Sequence, residues 1–366
     1  MSTRRTDGRP TIADVAAHAG VGAITVSRAL RDPSLVSEAM REKIDTAVRE
    51  LGYVPNLAAR ALASTRSDVV GVLVPSLTQH IFADVLRGIY DGIGKTRLHI
   101  QVGNTRYDLD EEDRLLAELL RHKPAGLIVS GIDQSVAARR MLEQANCPVI
   151  QIMDLSDDPV NKIIGFSHHN AAKAMTRHLI EMGYRRIGFL SGWMNSRSKG
   201  RLSGYVEALE EAGFYDPQLM NPAGDLGALA LRGSWDKHQY STPAMGRDLL
   251  TALWDRVPDL DAVFCNNDVL ALGVLFECNA RGVSVPQDFG IAGFNDEDFM
   301  EAASPALSSV RTHRWKVGHD AVTALRRQLD GEPDEERVVD VGFEVMKRAS
   351  TDRTGQSAQQ PSAAAG

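Results

Sequence analysis

Cysteine is scarce. Its three copies, Cys147, Cys265 and Cys278, are too few and too scattered for a disulfide framework or a structural zinc site. No apolar run reaches the roughly eighteen residues of a membrane span, and Met1–Pro10 lacks the apolar centre of a signal peptide. Neither a G-x-S-x-G elbow nor a P-loop is present, and His18, His168 and His169 show no metal-ligand arrangement. No catalysis, metal or cofactor is therefore expected. These absences exclude a secreted mini-protein and a membrane protein. What remains, 366 residues with 43% hydrophobic and 24% charged side chains, also excludes a disordered chain and suggests two or three soluble domains in a reducing cytoplasm.

The net charge of −7 is unevenly spread: residues 1–66 carry +3 and the remainder −10. A basic head on an acidic body fits a polyanion-binding end, although chance over so short a segment gives the same count. Pattern decides between them. Thr11-Ile12-Ala13-Asp14 has the form of a capping box, followed by Ile12, Val15, Ala16 and Ala19 on one helical face. Gly20-Val21-Gly22 breaks that helix, a second runs from about Ala23 to Leu30, and a third begins near Ser37 and stops at Gly52. In a helix-turn-helix of this spacing the start of the second helix meets base edges in the major groove. Ala23 and Ile24 then suit thymine methyls and Arg28 suits guanine, while Thr25 and Ser27 suit phosphates. An ordinary helical hairpin has the same outline. Asn56 can cap Leu57–Ala63, a segment too short to be helical without a partner.

From Asp68 short β-branched runs alternate with amphipathic stretches. Val69–Val74, His99–Gly103, Gly126–Ser130, Val149–Asp154, Arg186–Ser191, Ala262–Asn266 and Phe289–Phe294 are the expected strands. Such alternation gives an α/β fold with doubly wound parallel sheets, and about 280 residues suffice for two subdomains. Ligands in these sheets sit beyond the carboxyl ends of strands. Ser76, Asn104, Ser130, Asp154, Ser191, Asn267, Asp268, Asn295 and Asp296 gather there and favour a hydroxyl-rich ligand. Some of them are turn formers instead, and Asp268 either caps its helix or touches ligand. Thr351–Gly366 is polar and aperiodic and is expected to be disordered.

Thr11-Ile12-Ala13-Asp14-Val15-Ala16, Gly20-Val21, Thr25-Val26-Ser27-Arg28, Arg41-Glu42-Lys43-Ile44 and Leu51-Gly52-Tyr53-Val54-Pro55-Asn56 together resemble the lactose-repressor (LacI/GalR) family. Val70–Pro75, Arg201–Tyr205, Cys265–Asp268 with Ala271–Gly273, and Ile291–Phe294 extend the resemblance over residues 10–345. Pro75–Thr78, Phe82–Ile89 and Phe276-Glu277-Cys278 look most like gluconate-operon repressors.

This resemblance implies a homodimeric repressor that binds palindromic double-stranded operator DNA. Its expected parts are a DNA-binding domain over 10–55 (motif about 12–31), a hinge helix and linker over 56–66, and an effector-binding, dimerisation core over 67–347 of periplasmic-binding-protein type. The core divides into an N-subdomain of about 67–165 plus 295–327 and a C-subdomain of about 166–294 plus 328–347, followed by a disordered tail over 348–366. Thr11, Asn56 and Ala59 join the DNA-facing set. Leu62 either wedges between base steps or packs as a linker residue, and the wedge is favoured because an exposed leucine needs a surface to bury. Gly22 stands where many members have Ser, which puts one phosphate contact in doubt.

In the core the resemblance points to Phe82, Arg201, Asn267 and Asn295 for the effector, with core packing as the alternative for Phe82 and a solvated loop charge for Arg201, and Ser76, Ser130 and Asp154 of the strand-end group complete the candidate set. Asn295 replaces a common Asp, removing a carboxylate that repels anions, and Ser167-His168 replaces a common Asp-Asn pair. Arg197, Lys199 and Arg201, expected in a loop before the helix Leu202–Ala212, suit a carboxylate or phosphate; Arg197 and Lys199 otherwise face solvent. Gluconate, ketogluconate or phosphogluconate is the expected effector. The rival readings are another sugar or a purine-like corepressor, a solute-binding module without DNA regulation, and an enzyme on the same fold.

Overall fold

The computed structural model describes residues 10–31, 33–54, 67–192, 194–220, 241–333 and 336–354. The chain splits at Ser67/Asp68 into two compact units.

In the first unit α1 (Ile12–Ala19), α2 (Ala23–Arg31) and α3 (Glu38–Leu51) follow the predicted boundaries closely. The capping box forms: Thr11 Oγ1 accepts from the Asp14 amide at 3.3 Å, and Asp14 accepts from the Thr11 amide at 2.7 Å. Gly20 and Gly52 end α1 and α3 with φ of 66° and 60°, the left-handed backbone in which glycine has no Cβ penalty. Val15, Ala16, Val26, Ala29, Ile44, Ala47 and Tyr53 make the core. So small an apolar centre leaves the ends of the helices to be fixed by caps and by contacts such as His18–Glu50 at 2.7 Å.

The second unit contains two sheets. The first has the order β10-β5-β4-β3-β1-β2, all parallel, from β1 (Val69–Val74), β2 (His99–Asn104), β3 (Gly126–Ser130), β4 (Val149–Ile152), β5 (Lys162–Gly165) and β10 (Val338–Asp340). The second has the order β11-β9-β8-β7-β6, from β6 (Ile187–Leu190), β7 (Ala262–Cys265), β8 (Gly290–Asn295), β9 (Ser308–Thr312) and β11 (Phe343–Met346), with only β11 antiparallel. Helices α4 (His80–Ile93), α5 (Leu109–Arg121), α6 (Val136–Glu143) and α12 (Arg314–Leu329) belong to the first subdomain. The second holds α7 (His168–Glu181), α8 (Ser196–Ala212), α9 (Pro243–Arg256), α10 (Asp268–Arg281) and the short α11 (Phe299–Ala302). Strands covered on both faces need continuous apolar side chains, and Val70–Val74 are all buried. No described helix is long and apolar enough to cross a membrane.

Among the described residues the chain crosses between the subdomains three times: the first crossing, after β5, falls where the sequence reading put it, and the other two fall differently. β9 (308–312) pairs with β8 in the second sheet, not with the first subdomain, and β10 (338–340) pairs with β5 in the first. The Ser-rich Ser308-Ser309 and the three-residue β10 carry too little alternation to betray their sheet. Residues 348–354 are also folded, contrary to the expected tail. Ser350 Oγ donates to the Ile291 carbonyl at 2.6 Å and accepts from the Ser308 amide at 2.8 Å, while Arg348 pairs with Asp296 at 2.6 Å. Those hydroxyls find buried partners that no local pattern announces.

Helices α4 and α12 meet backbone to backbone. A Cβ on Gly88 would lie 2.0 Å from the Trp315 carbonyl oxygen, and one on Gly318 2.0 Å from that of Val85. The contact fixes α12, and with it the second crossing, on the first subdomain.

Candidate functional site

On α2 the buried residues are Val26 and Ala29, leaving Ala23, Ile24, Ser27 and Arg28 exposed on the other face and Thr25 half-buried. Ile24 is 77% exposed, unusual for an isoleucine with no surface to cover it. Ile24 and Arg28, one turn apart, thus share an open face of a helix whose N-terminal amides of Thr25 and Val26 return to the Gly22 carbonyl. Thr11 is committed to capping α1. Asn56, Ala59 and Leu62 lie outside the described residues.

In the second unit the carboxyl ends of both sheets face a cleft of about 200 Å3. The first subdomain contributes Thr78–Ile81 after β1, Arg106 and Tyr107 after β2, and Met153 after β4. From the second come His168, Asn195, Arg197, Ser198, Arg201, Ser241, Asn266, Asn267 and Val269, with Asn295 and Glu297 at the end of β8.

Arg201 is the centre of this wall. It is only 8% exposed. Its Nε donates to His168 Nδ1 at 3.2 Å, its Nη1 donates to the Asn266 carbonyl, and its guanidinium carbon lies 3.8 Å from the Phe294 ring centroid. Burial, and then the neighbouring Arg197, push this guanidinium below the usual arginine range, to about 9, which still leaves it charged at neutral pH. Among the described residues neither Arg201 nor Arg197 is in an ion pair with a carboxylate, and no hydrogen bond engages Arg201 Nη2. Arg197, equally buried, donates from Nη1 to Ser130 Oγ at 3.3 Å and lies 5.9 Å from the Phe82 ring centroid.

The helix α8 explains why two arginines converge and a lysine does not. The sequence reading placed residues 197–201 in a loop, but Asn195 caps the helix by accepting from the Ser198 amide at 2.9 Å, so all three charges are helical. Residues four apart share a helical face and residues two apart do not. Arg197 and Arg201 therefore line the cleft while Lys199 is exposed and outside its lining.

The other candidates divide between the lining and the structure behind it. Asn267 lines the cleft and caps α10, its Oδ1 accepting from the Leu270 amide at 3.0 Å and its Nδ2 donating to Ser241 Oγ at 2.8 Å. Asn295, with φ of 116°, is 3% exposed and its Oδ1 has no donor among the described residues. Ser76 is fully buried and accepts from the amides of Thr78 and Gln79 at 3.2 and 3.1 Å, which makes it a turn former under the rim. Phe82, Ser130 and Asp154 lie outside the lining: Phe82 is core, and Ser130 meets Arg197. Burial pushes the Asp154 carboxyl up to about 6, with Arg197 the main opposing influence. Asp268, also behind the wall, accepts from Ser309 Oγ at 2.6 Å and the Glu297 amide at 2.8 Å.

Gln79, Arg106, Tyr107, Asn195, Asn266 and His168 escaped the sequence reading. Tyr107 donates to Gln79 Oε1 at 2.8 Å across the rim. Arg106 and Tyr107 are consecutive non-glycine residues with φ of 56° and 58°, a turn two residues past Asn104 that no side-chain pattern marks. Asn266 adjoins Asn267 at a strand end, so that signal was present but was assigned to its neighbour. Among the described residues no cluster of His, Cys, Asp and Glu has the form of a metal site.

Behind Arg197, Glu112 on α5 is 9% exposed. Burial, then Asp133, push its carboxyl up to about 7. Between its ordinary value and that one, the folded chain keeps a proton that the unfolded chain has released, so rising pH weakens the fold through this group. Glu112→Gln is therefore expected to melt about 2 °C or more above the wild type at pH 8, with the gap closing at pH 5. Parallel melting curves across that range would contradict this assignment.

Comparison with known proteins places both units. Residues 11–56 match bacterial regulatory proteins of the lacI family, and residues 176–351 match a periplasmic binding protein-like domain. The chain is 38% identical over 349 residues to the HTH-type transcriptional regulator GntR of Pseudomonas aeruginosa, covering 95% of this chain and 97% of that one. It superposes with a TM-score of 0.83 on a LacI-family transcriptional regulator from Silicibacter pomeroyi, at 34% identity over 94% of this chain and all of the other. The transcription regulator GntR from Chromobacterium violaceum aligns with a TM-score of 0.70 and 37% identity over 77% of this chain and 99% of its own. With a lacI-type head, a two-sheet core and relatives that span almost its whole length, the chain belongs to the LacI family of DNA-binding transcriptional regulators.

Proposed function

We propose that this regulator is a cytoplasmic homodimeric repressor that holds palindromic operator DNA through two heads and releases it when a sugar acid enters the cleft. Gluconate, ketogluconate and phosphogluconate are the candidates. One observation carries the anionic effector: Arg201 is a buried cation with a vacant Nη2 edge and no carboxylate partner among the described residues. Burying an unpaired charge costs free energy that a ligand carboxylate recovers, and arginine takes a carboxylate in a planar two-bonded fork. The amides and hydroxyls of Asn195, Ser241 and Asn267 around it suit a polyol chain. Resemblance to gluconate-operon repressors supports the same choice.

The test is a gel shift on a palindromic duplex selected from random sequence, titrated with each sugar acid, beside thermal melting of the protein. An effector should raise the melting temperature by mass action and weaken DNA binding by the factor with which DNA weakens the effector. Tighter DNA binding on addition would make the ligand a corepressor. Retention of DNA at saturating levels of all three acids would remove the inducer reading.

A further inference from the structure

His168 stands at the start of α7, just after the chain crosses from the first sheet to the second. It is 4% exposed and packs against two aromatic rings, 4.4 Å from Phe166 and 5.8 Å from Phe294 by centroid, which are themselves 6.3 Å apart. Its two ring nitrogens face opposite subdomains. Nε2 is 2.9 Å from the Met153 carbonyl oxygen at the end of β4, and Nδ1 is 3.2 Å from Arg201 Nε. A carbonyl only accepts and a guanidinium only donates, so the hydrogen must be on Nε2 and the lone pair on Nδ1. Burial, Arg201 and Arg197 all oppose a second proton and hold the ring well below the usual histidine range. Met153 itself has φ of 68°, a backbone that a non-glycine residue adopts only when its surroundings compel it. The carbonyl bound by His168 therefore belongs to a strained turn of the opposite subdomain.

We propose that His168 is a positioning residue that both orients Arg201 for the effector and ties that arginine to the Met153 turn, so that loading of the cleft is transmitted to the first subdomain. This rests on the effector reading above. The ring packs against both phenylalanines and is hydrogen-bonded to Arg201 on one side and to the Met153 carbonyl on the other, so a shift of Arg201 is passed through it to that carbonyl. Arg201 stacks on the same Phe294 that His168 faces, and with the Arg201–His168 hydrogen bond the three groups make one packed cluster. A cluster that meets the ligand wall through Arg201 and a strained turn through His168 has the two properties a coupling element requires: contact with the ligand wall and a second arrangement to relax into.

Two amides separate the two functions of the ring. In asparagine the Oδ1 occupies nearly the place of Nδ1 and still accepts from Arg201, but nothing reaches Met153. In glutamine the amide nitrogen reaches the place of Nε2 and keeps the Met153 bond, while the acceptor beside Arg201 is lost. With D-gluconate as probe, calorimetry gives effector affinity, and the ratio of operator Kd with and without saturating gluconate gives the release factor. His168→Asn should bind gluconate within about threefold of wild type, yet its release factor should fall about tenfold or to unity. His168→Gln should bind gluconate about tenfold more weakly, the loss of a charge-assisted acceptor. Both variants behaving alike, or an undiminished release factor in His168→Asn, would overturn the proposal, since a merely structural histidine would lose both functions together. Wild-type protein that binds none of the three sugar acids overturns the effector reading instead, and that outcome is visible before either variant is made.

Discussion

Arg201→Met is expected to lose gluconate affinity by about a hundredfold or more and to repress without release, while melting no lower than the wild type. The two halves of that expectation come from one physical fact. The guanidinium is buried beside Arg197 with carbonyl, imidazole and ring partners but no carboxylate. A buried charge without a counter-charge destabilises the empty protein, and an apolar side chain of similar length removes that penalty while keeping contact with Phe294. The same charge, paired in two parallel bonds to a carboxylate, contributes about 3 kcal/mol or more to binding, hence the hundredfold. Calorimetry and thermal melting of the same sample check both at once. Lys199→Ala is the control: it points away from the cleft on α8 and should leave gluconate affinity within about twofold. If Arg201→Met unfolds the chain instead, the arginine is a structural pillar and the anion reading falls.

Most of the architecture was legible because it depends on patterns local to each element. The capping box at Thr11, the stops at Gly20 and Gly52 and the apolar faces of α1 and α3 each reside in a few consecutive residues, and β1, β3 and β7 are apolar runs of the length that a doubly covered strand needs. What escaped depends on partners distant in the chain. β9 opens with two serines that are buried because Ser350 and Asp268, some forty residues away, receive their hydrogen bonds. The cleft shows the same division. Of the polar strand-end residues read from the sequence, Asn267 and Asn295 line it and the others do not, because which residues line it and which hold the wall is a matter of helix phase and turn geometry. Asn195 decides the phase of α8 by capping it, and thereby selects Arg197 and Arg201 over Lys199. His168 was visible only as a departure from a common pair, and its meaning depends on Met153 and Arg201 arriving on its two sides.

In the first unit, Arg28→Ala is expected to weaken operator binding by about thirtyfold or more while leaving binding to random duplex almost unchanged. Arg28 lies on the open face of α2, one turn beyond the exposed Ile24, opposite the buried Val26 and Ala29. A guanidinium paired to guanine O6 and N7 contributes about 1–3 kcal/mol of discrimination, and a dimer with two heads applies it twice. Non-specific affinity comes instead from phosphates and falls with salt, so an Arg28 that reads a base should carry little of it, with Thr25, Ser27 and the general charge of the head as the expected phosphate contacts. Measuring operator and random-duplex Kd side by side across a salt series separates these possibilities. Equal losses on both duplexes would move Arg28 to the phosphate-contacting set, and no loss on either would take it off the interface. Because residues 68–366 form a compact unit of their own, gluconate affinity should not change with Arg28, and a change there would mean that the head and core communicate even without DNA.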